Sequence, residues 1–297
     1  MIKFFKRKEK PKEEIPEEKE KIELKTIEEI VPSSLSFESA LEPAGQSTQP
    51  VSESPEIQPP EEALNIPIEK PPVPVAKPVN RIPTGIPGLD GLLEGGLIPG
   101  SVTLVCGEAG SGKTIFCTQF IWNALCLGEN GVYITLQESP DDIKKDIISF
   151  GRDFEVAEKR DQLRIIYADP QDLKKLVKLI IKNVKDINAK RLVIDSVTLI
   201  GEEVKNVRRG LIYLCRILKS LGVTTLLVSE VEEETKKLGR FGVEEFIVDG
   251  VLVLQYMEYV AGGATRNLLI KKMRRTKHGR DIYPLEITDK GIVVKKT

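Results

Sequence analysis

At 297 residues, with a formal net charge of −1, one His and four Cys, the chain has room for one large domain or two small ones. No stretch approaches the ~20 consecutive apolar residues needed to cross a bilayer. The cysteines form no CxxC pair and have no His near them, which argues against a metal site built from protein ligands alone. Charge and composition are unevenly spread. Residues 1–80 hold 13 of the 19 prolines, one glycine (Gly45) and 16 Glu with no Asp; 11 Lys and Arg leave them at −5 and the remainder at +4. So Pro- and Glu-rich a segment cannot bury enough apolar surface to offset its ordering entropy. It reads as a disordered arm over 1–80, followed by one globular domain over 81–297.

Within the arm, the start MIKFFKRKEK lacks the apolar core and cleavage site of a secretion signal and reads as a solvated, charged terminus. A short helix is expected around Ile22–Ile30. From residue 101 onward, apolar runs alternate with helical patterns. SVTLVCG is a strand, followed by a helix from Lys113 to Leu127. VYITLQ is the next strand, and Pro140 opens a helix running to about Phe150. LRIIYA precedes a helix in which Leu173, Leu176, Val177, Ile180, Ile181, Val184 and Ile187 fit a 3.6-residue period. RLVID is a strand, Val204 to Leu218 a helix, and TTLLVS a strand. Beyond residue 249, GVLVLQYME, RNLLIKKM, DIYPLEI and GIVV read as antiparallel strands with short turns. Strands with continuous apolar runs separated by helices imply an α/β fold with a mainly parallel sheet covered on both faces, here with a C-terminal antiparallel extension. Cys106 falls in a strand and Cys117, Cys126 and Cys215 in helical patterns, as reduced core residues of a cytoplasmic protein would.

The segment Gly107-Glu-Ala-Gly-Ser-Gly-Lys-Thr114 satisfies GxxxxGK(S/T) between a strand and a helix. Gly110 and Gly112 let the backbone curl its N–H groups around phosphate oxygens, and the helix after them adds unpaired N–H groups and its dipole. Lys113 neutralises the β- and γ-phosphates, and the Thr114 hydroxyl is a ligand for Mg²⁺. Gly107, Gly110, Ser111, Gly112, Lys113, Thr114 and Ile115 are therefore the nucleotide-binding candidates, and ATP with Mg²⁺ the expected ligand pair.

Ligands of open parallel sheets bind at the carboxyl ends of the strands. Three other strands end in polar residues: Gln137-Glu138, Asp195-Ser196 and Ser229-Glu230. Asp195, after an apolar run, has the Walker B form of a Mg²⁺ ligand. Glu138 is placed to orient or deprotonate an attacking water, and Ser229 to sense the γ-phosphate.

These motifs occur in order with the lead-in Thr84-Gly-Ile-Pro-Gly-Leu-Asp90-Gly-Leu-Leu-Glu-Gly-Gly96, Gln137-Glu-Ser-Pro-Asp-Asp-Ile143, Lys272-Met-Arg-Arg-Thr-Lys-His278 and Pro284-Leu-Glu-Ile-Thr-Asp289. Together they resemble the KaiC-like branch of the RecA superfamily over residues 81–297, with one domain copy, as in archaeal relatives. The resemblance implies a RecA-like fold and a ring, usually a hexamer, with ATP at subunit interfaces. It implies that Lys272 and Arg274 reach a neighbour's γ-phosphate, and that Ser149, His278 and Asp289 contact nucleotide. The sequence departs from the family pattern twice: Gln137-Glu138 stands where two glutamates are usual, and Arg275 where glycine is usual.

The resemblance implies an ATPase whose nucleotide state drives ring or partner rearrangement. Gln137, which can orient a water but not take its proton, favours instead a nucleotide switch with little hydrolysis. A DNA-binding recombinase is disfavoured because the segment after Ser229, Glu230-Val-Glu-Glu-Glu234, would repel phosphate backbone. Any individual protein partner is expected at the N-terminal arm.

Overall fold

The computed structural model describes residues 80–203, 205–231, 237–256 and 266–295. The arm through residue 79, its expected helix at Ile22–Ile30, Val204 and most of the acidic segment after Glu230 lie outside the described residues. Among the described residues the apolar runs become strands β1 (Val102–Gly107), β2 (Gly131–Thr135), β3 (Leu163–Tyr167), β4 (Arg191–Asp195), β5 (Thr224–Glu230), β6 (Gly250–Tyr256), β7 (Arg266–Met273), β8 (Ile282–Thr288) and β9 (Gly291–Val294). They form one sheet in the order β3-β2-β4-β5-β1-β6-β7-β8-β9. The first six are parallel, and β7, β8 and β9 continue it antiparallel. β6 thus pairs with β7 as the sequence suggests and, in addition, extends the parallel sheet beside β1.

The helices are α1 (Leu89–Leu92), α2 (Lys113–Cys126), α3 (Pro140–Ile148), α4 (Glu155–Lys159), α5 (Leu173–Asp186), α6 (Val197–Glu203), α7 (Val207–Ser220) and α8 (Glu244–Ile247). The expected helix from Val204 to Leu218 is α7, while α6 and the shorter α1, α4 and α8 give no periodic signal in the sequence. Alternation along the strands divides the interior in two. Leu104, Cys106, Leu192, Ile194 and Val251 face α5 and α7, while Val105, Val193, Leu252 and Leu254 face α2, α3 and β8–β9. Each face is therefore lined by every second residue of the same strands. Cys126 departs from the expected core placement: it ends α2 and is exposed, whereas Cys106, Cys117 and Cys215 are buried.

The glycine-rich lead-in is a packing device. Thr84 donates its N–H and hydroxyl to Asp90 Oδ1 at 2.7 and 2.6 Å, folding the chain so that Ile86, Leu89 and Leu93 enter the α2 face. Gly88 has φ 85°, and a Cβ there would stand 1.9 Å from the Val294 carbonyl oxygen. Gln119 of α2 joins three segments, donating to Gly85 O (3.0 Å) and Ile292 O (3.1 Å) and accepting from Ile292 N (2.9 Å).

Arg191, which opens β4, is fully buried. It donates to Glu129 Oε2 (2.8 Å), Pro83 O (2.8 Å) and Phe120 O (3.1 Å), and lies 4.8 Å from the centroid of the Phe120 ring. Removing it would strand three acceptors and open a hole beneath α2. Arg191→Ala is therefore expected to cost about 3 kcal/mol of stability, read as a lower midpoint in urea unfolding. An unchanged midpoint would show that water replaces the guanidinium without loss.

Candidate functional site

Parallel pairing brings the ends of β1, β2, β4 and β5 to one edge. There Ala109, Gly110, Lys113, Thr114, Thr135, Gln137, Glu138, Asp195 and Glu230 line a cleft of about 200 Å³. The Gly107–Thr114 loop leaves β1 and enters α2 at Lys113. Gly110 and Gly112 have φ 71° and 101°, the left-handed conformation that the loop's curl requires. At Gly107 the constraint is a close approach: a Cβ would stand 2.1 Å from Leu254 O. Ser111 is buried, and Ile115 packs half-buried against the α2-side core.

Lys113 crosses the loop, its ammonium donating to Gly107 O at 3.0 Å and Glu108 O at 2.8 Å. Burial lowers its pKa from the ordinary lysine value, an effect opposed by the Glu230 and Asp195 carboxylates. Asp195 ends β4, and its Oδ2 accepts from Tyr133 Oη at 2.7 Å and Thr114 Oγ1 at 3.3 Å. Burial pushes its carboxyl above the usual range, opposed by the Tyr133 bond, the Lys113 charge and the Thr114 bond. Burial also holds the Tyr133 phenol well above its usual value, so it stays protonated and donates. Glu138 is raised by burial and by the Asp195, Asp146 and Asp142 carboxylates.

The donor set suits magnesium. A hydroxyl and a carboxylate stand within hydrogen-bond distance of one another, both hard oxygen donors, and no group of three or more His, Cys, Asp or Glu among the described residues would form an all-protein cage. Mg²⁺ takes one or two such ligands and completes its shell with phosphate and water oxygens. The loop supplies curled amides, the start of a fourteen-residue helix and one cation, the groups that hold a polyphosphate.

Ser229 does not join this group. It is buried, donates to Glu244 Oε1 (3.2 Å) and accepts from Arg240 N (3.2 Å), away from the cleft; alternation along β5 sends Glu230 there in its place. Ser149 caps the carboxyl end of α3, exposed, with its hydroxyl on Asp146 O at 2.5 Å. Asp289 lies in the exposed β8–β9 turn, next to Lys290, whose carbonyl accepts from Arg152. A Cβ on Gly112 would meet Ile287 at 3.3 Å, so this turn sits beside the P-loop of its own chain.

Lys272, Arg274 and His278 lie elsewhere. Met273 pairs with Gly250, which pairs with Thr103 at the start of β1, whereas Gly107 pairs with Leu254. Four strand steps, about 13 Å, therefore separate this hairpin from the loop along the sheet. Lys272 Nζ donates to Glu245 O (2.9 Å) and Val248 O (2.7 Å), and burial lowers its pKa. Arg274 Nη1 is 3.7 Å from Asp249 Oδ1, and His278 Nδ1 is 2.7 Å from Gly279 O. Arg275 has φ 55°, which explains why glycine is usual at that position.

Sequence reading missed Tyr133, Thr135, Tyr256 and Arg266. Tyr133 pairs in register with Val193, two residues before Asp195, so the phenol and carboxylate are diagonal neighbours on one face. That relation depends on register, which the sequence does not carry.

Comparison with known proteins agrees with this architecture. The UPF0273 protein of Thermotoga maritima is 39% identical over 234 residues, covering 73% of this chain and 96% of that protein. The circadian clock oscillator protein KaiC of Prochlorococcus marinus subsp. pastoris is 36% identical over 230 residues, 73% of this chain but 45% of that longer protein. The crystal structure of a KaiC-like protein from the hyperthermophilic archaeon Pyrococcus horikoshii is 43% identical and superposes with a TM-score of 0.68, covering 74% of this chain and 100% of that one. Residues 82–297 match the protein-family model described as "ATPase: KaiC", and the protein thus belongs to the KaiC family of the RecA superfamily.

Proposed function

We propose that this protein hydrolyses ATP at a site shared between copies of itself, and that nucleotide state controls ring assembly or the binding of a partner. The observation that carries the reading is the division of the charged groups between two ends of one sheet. Lys113, Thr114, Glu138 and Asp195 gather at the carboxyl edge, and Lys272 and Arg274 lie toward the other end, beyond the reach of a side chain in the same chain. A head-to-tail ring joins the two ends, because each copy presents one patch to the complementary patch of the next. Charge favours that contact modestly: the hairpin and the loop after it carry Lys271, Lys272, Arg274, Arg275, Lys277 and Arg280, while the cleft end carries Glu138, Asp141, Asp142 and Asp146 against Lys144 and Lys145, which pair with Asp141 and Asp142. Phe246, 65% exposed, stands beside the Glu245 carbonyl that Lys272 holds and offers an apolar anchor.

In this reading the loop amides and Lys113 bind the phosphates, and Glu138 orients or deprotonates the water. Thr114 and Asp195 hold Mg²⁺, which when bound supplies charge neutralisation at the β- and γ-phosphates. A neighbour's Arg274 and Lys272 face the charge that develops in the transition state. Gln137 supports a second reading, a nucleotide switch with little turnover, because a neutral amide occupies one of the two strand-end positions.

Phosphate release measured together with solution mass, with and without ATP and Mg²⁺, tests both. The expected result is turnover accompanied by ATP-dependent growth from small species to an assembly of several copies. A mass that stays monomeric with ATP bound would remove the basis for Lys272 and Arg274 acting in trans. Assembly without turnover would leave the switch.

A further inference from the structure

The carbonyl of Gly110 is held from outside the P-loop. Tyr256, which ends β6, donates its phenol to that oxygen at 2.6 Å, and Arg266, which opens β7, donates Nε at 3.3 Å. The Arg266 guanidinium lies 5.0 Å from the centroid of the Tyr256 ring, so each side chain braces the other. A carbonyl has two lone pairs, and here both have donors.

Peptide geometry carries the consequence inward. A trans peptide is planar, with its C=O and the following N–H pointing in opposite directions. Holding the Gly110 oxygen outward therefore turns the Ser111 N–H inward. That N–H does point into the loop, toward Glu108 O at 3.3 Å. At that length the bond is weak, and a phosphate oxygen is a stronger acceptor for the same N–H. Gly110 also fits the clamp sterically, since a Cβ there would come within 3.2 Å of Tyr256 Oη.

We propose that Tyr256 and Arg266 are positioning residues that preorganise the P-loop amides for a nucleoside di- or triphosphate. They act through the Gly110 peptide rather than on phosphate itself, and so couple phosphate affinity to the β6–β7 hairpin. This rests on the proposed reading of the P-loop as an ATP site. Because the clamp acts on the phosphate cradle, it affects ATP and ADP alike.

The test uses the full chain. Tyr256→Phe deletes one bond and keeps the ring beneath the guanidinium, and Arg266→Ala deletes the other. ATP and ADP affinities are measured by calorimetry, and amide exchange across residues 107–114 is followed without nucleotide. Tyr256→Phe is expected to bind both nucleotides about three- to ten-fold more weakly, and Arg266→Ala, which removes the longer bond and the brace on the ring, to lose less. Exchange at 107–114 should quicken while the thermal midpoint holds. The double variant should lose less than the product of the single losses, because both bonds end on one oxygen. Tyr256→Phe affinity within about twofold of wild type would overturn the proposal, as would weaker binding with unchanged exchange at 107–114. Wild-type protein without measurable ATP binding would instead overturn the P-loop reading, and the clamp with it.

Discussion

Exchanging Glu138 for Gln is expected to lower steady-state phosphate release about a hundredfold or more while leaving ATP affinity within about twofold of wild type. The two outcomes separate because of where the residue stands. Gln137 and Glu138 follow β2 and line the cleft with Lys113, Thr114 and Asp195. Their backbone is fixed on both sides. Thr135 Oγ1 donates to Glu138 O at 2.8 Å, and Ser139 caps α3 by accepting from Asp142 N. The Glu138 side chain is partly desolvated where it lines the cleft but stays open to water, whereas in the proposed reading phosphate is held by the loop amides and Lys113. Glu138→Gln is nearly isosteric and keeps the ability to orient water, so the lost rate reports the lost base. The raised Glu138 carboxyl points the same way, since burial and the Asp195, Asp146 and Asp142 carboxylates make it a stronger proton acceptor than a free side chain. Gln137→Glu, which adds a second acceptor beside it, is expected to raise turnover. A wild-type rate unchanged by Glu138→Gln would remove the hydrolytic reading and leave the nucleotide switch.

How much of this could be read in advance divides along a physical line. Features fixed by neighbours in sequence were legible. The stripe from Leu173 to Val184 is α5, Arg191–Asp195 is β4 to the residue, and Gly110 and Gly112 have the left-handed φ their pattern demands. Features fixed by register or crossing were not. Which side of β5 meets the cleft depends on how its residues alternate against β1, and Ser229 falls on the wrong side while Glu230 falls on the right one. Tyr133 gives no sign in sequence that its phenol ends on Asp195, because strand alignment between β2 and β4 makes them diagonal neighbours. The same holds for Tyr256 and Arg266, which reach a glycine more than a hundred residues earlier. Short helices escaped for another reason: four or five residues, as in α1, α4 and α8, complete little more than one turn and carry no periodicity.

The second large effect concerns the hairpin. Lys113→Ala and Arg274→Ala proteins are each expected below about 1% of wild-type turnover alone, yet to recover about a quarter when co-assembled in equal amounts. In a ring with heterologous contacts, the productive interface pairs an intact P-loop of one copy with an intact hairpin of the next, which random mixing supplies at about one junction in four. If both groups served the same chain, every subunit would lack one of them and mixing would recover nothing. The structure also separates the two cations. Lys272 is half-buried and gives two hydrogen bonds to the end of α8, at Glu245 O and Val248 O, which it would have to break to reach a neighbour. Arg274 is anchored through its backbone, N to Asp249 O at 2.9 Å, while its side chain is 53% exposed and only 3.7 Å from Asp249. The Asp249 carboxylate is already satisfied by Lys219 Nζ at 2.8 Å and Val102 N at 3.1 Å, so Arg274 can leave it at little cost. In the proposed ring, Arg274 is therefore better placed than Lys272 to act on a neighbour's phosphate. Lys272 braces α8, and Lys272→Ala should loosen that helix before it slows phosphate release.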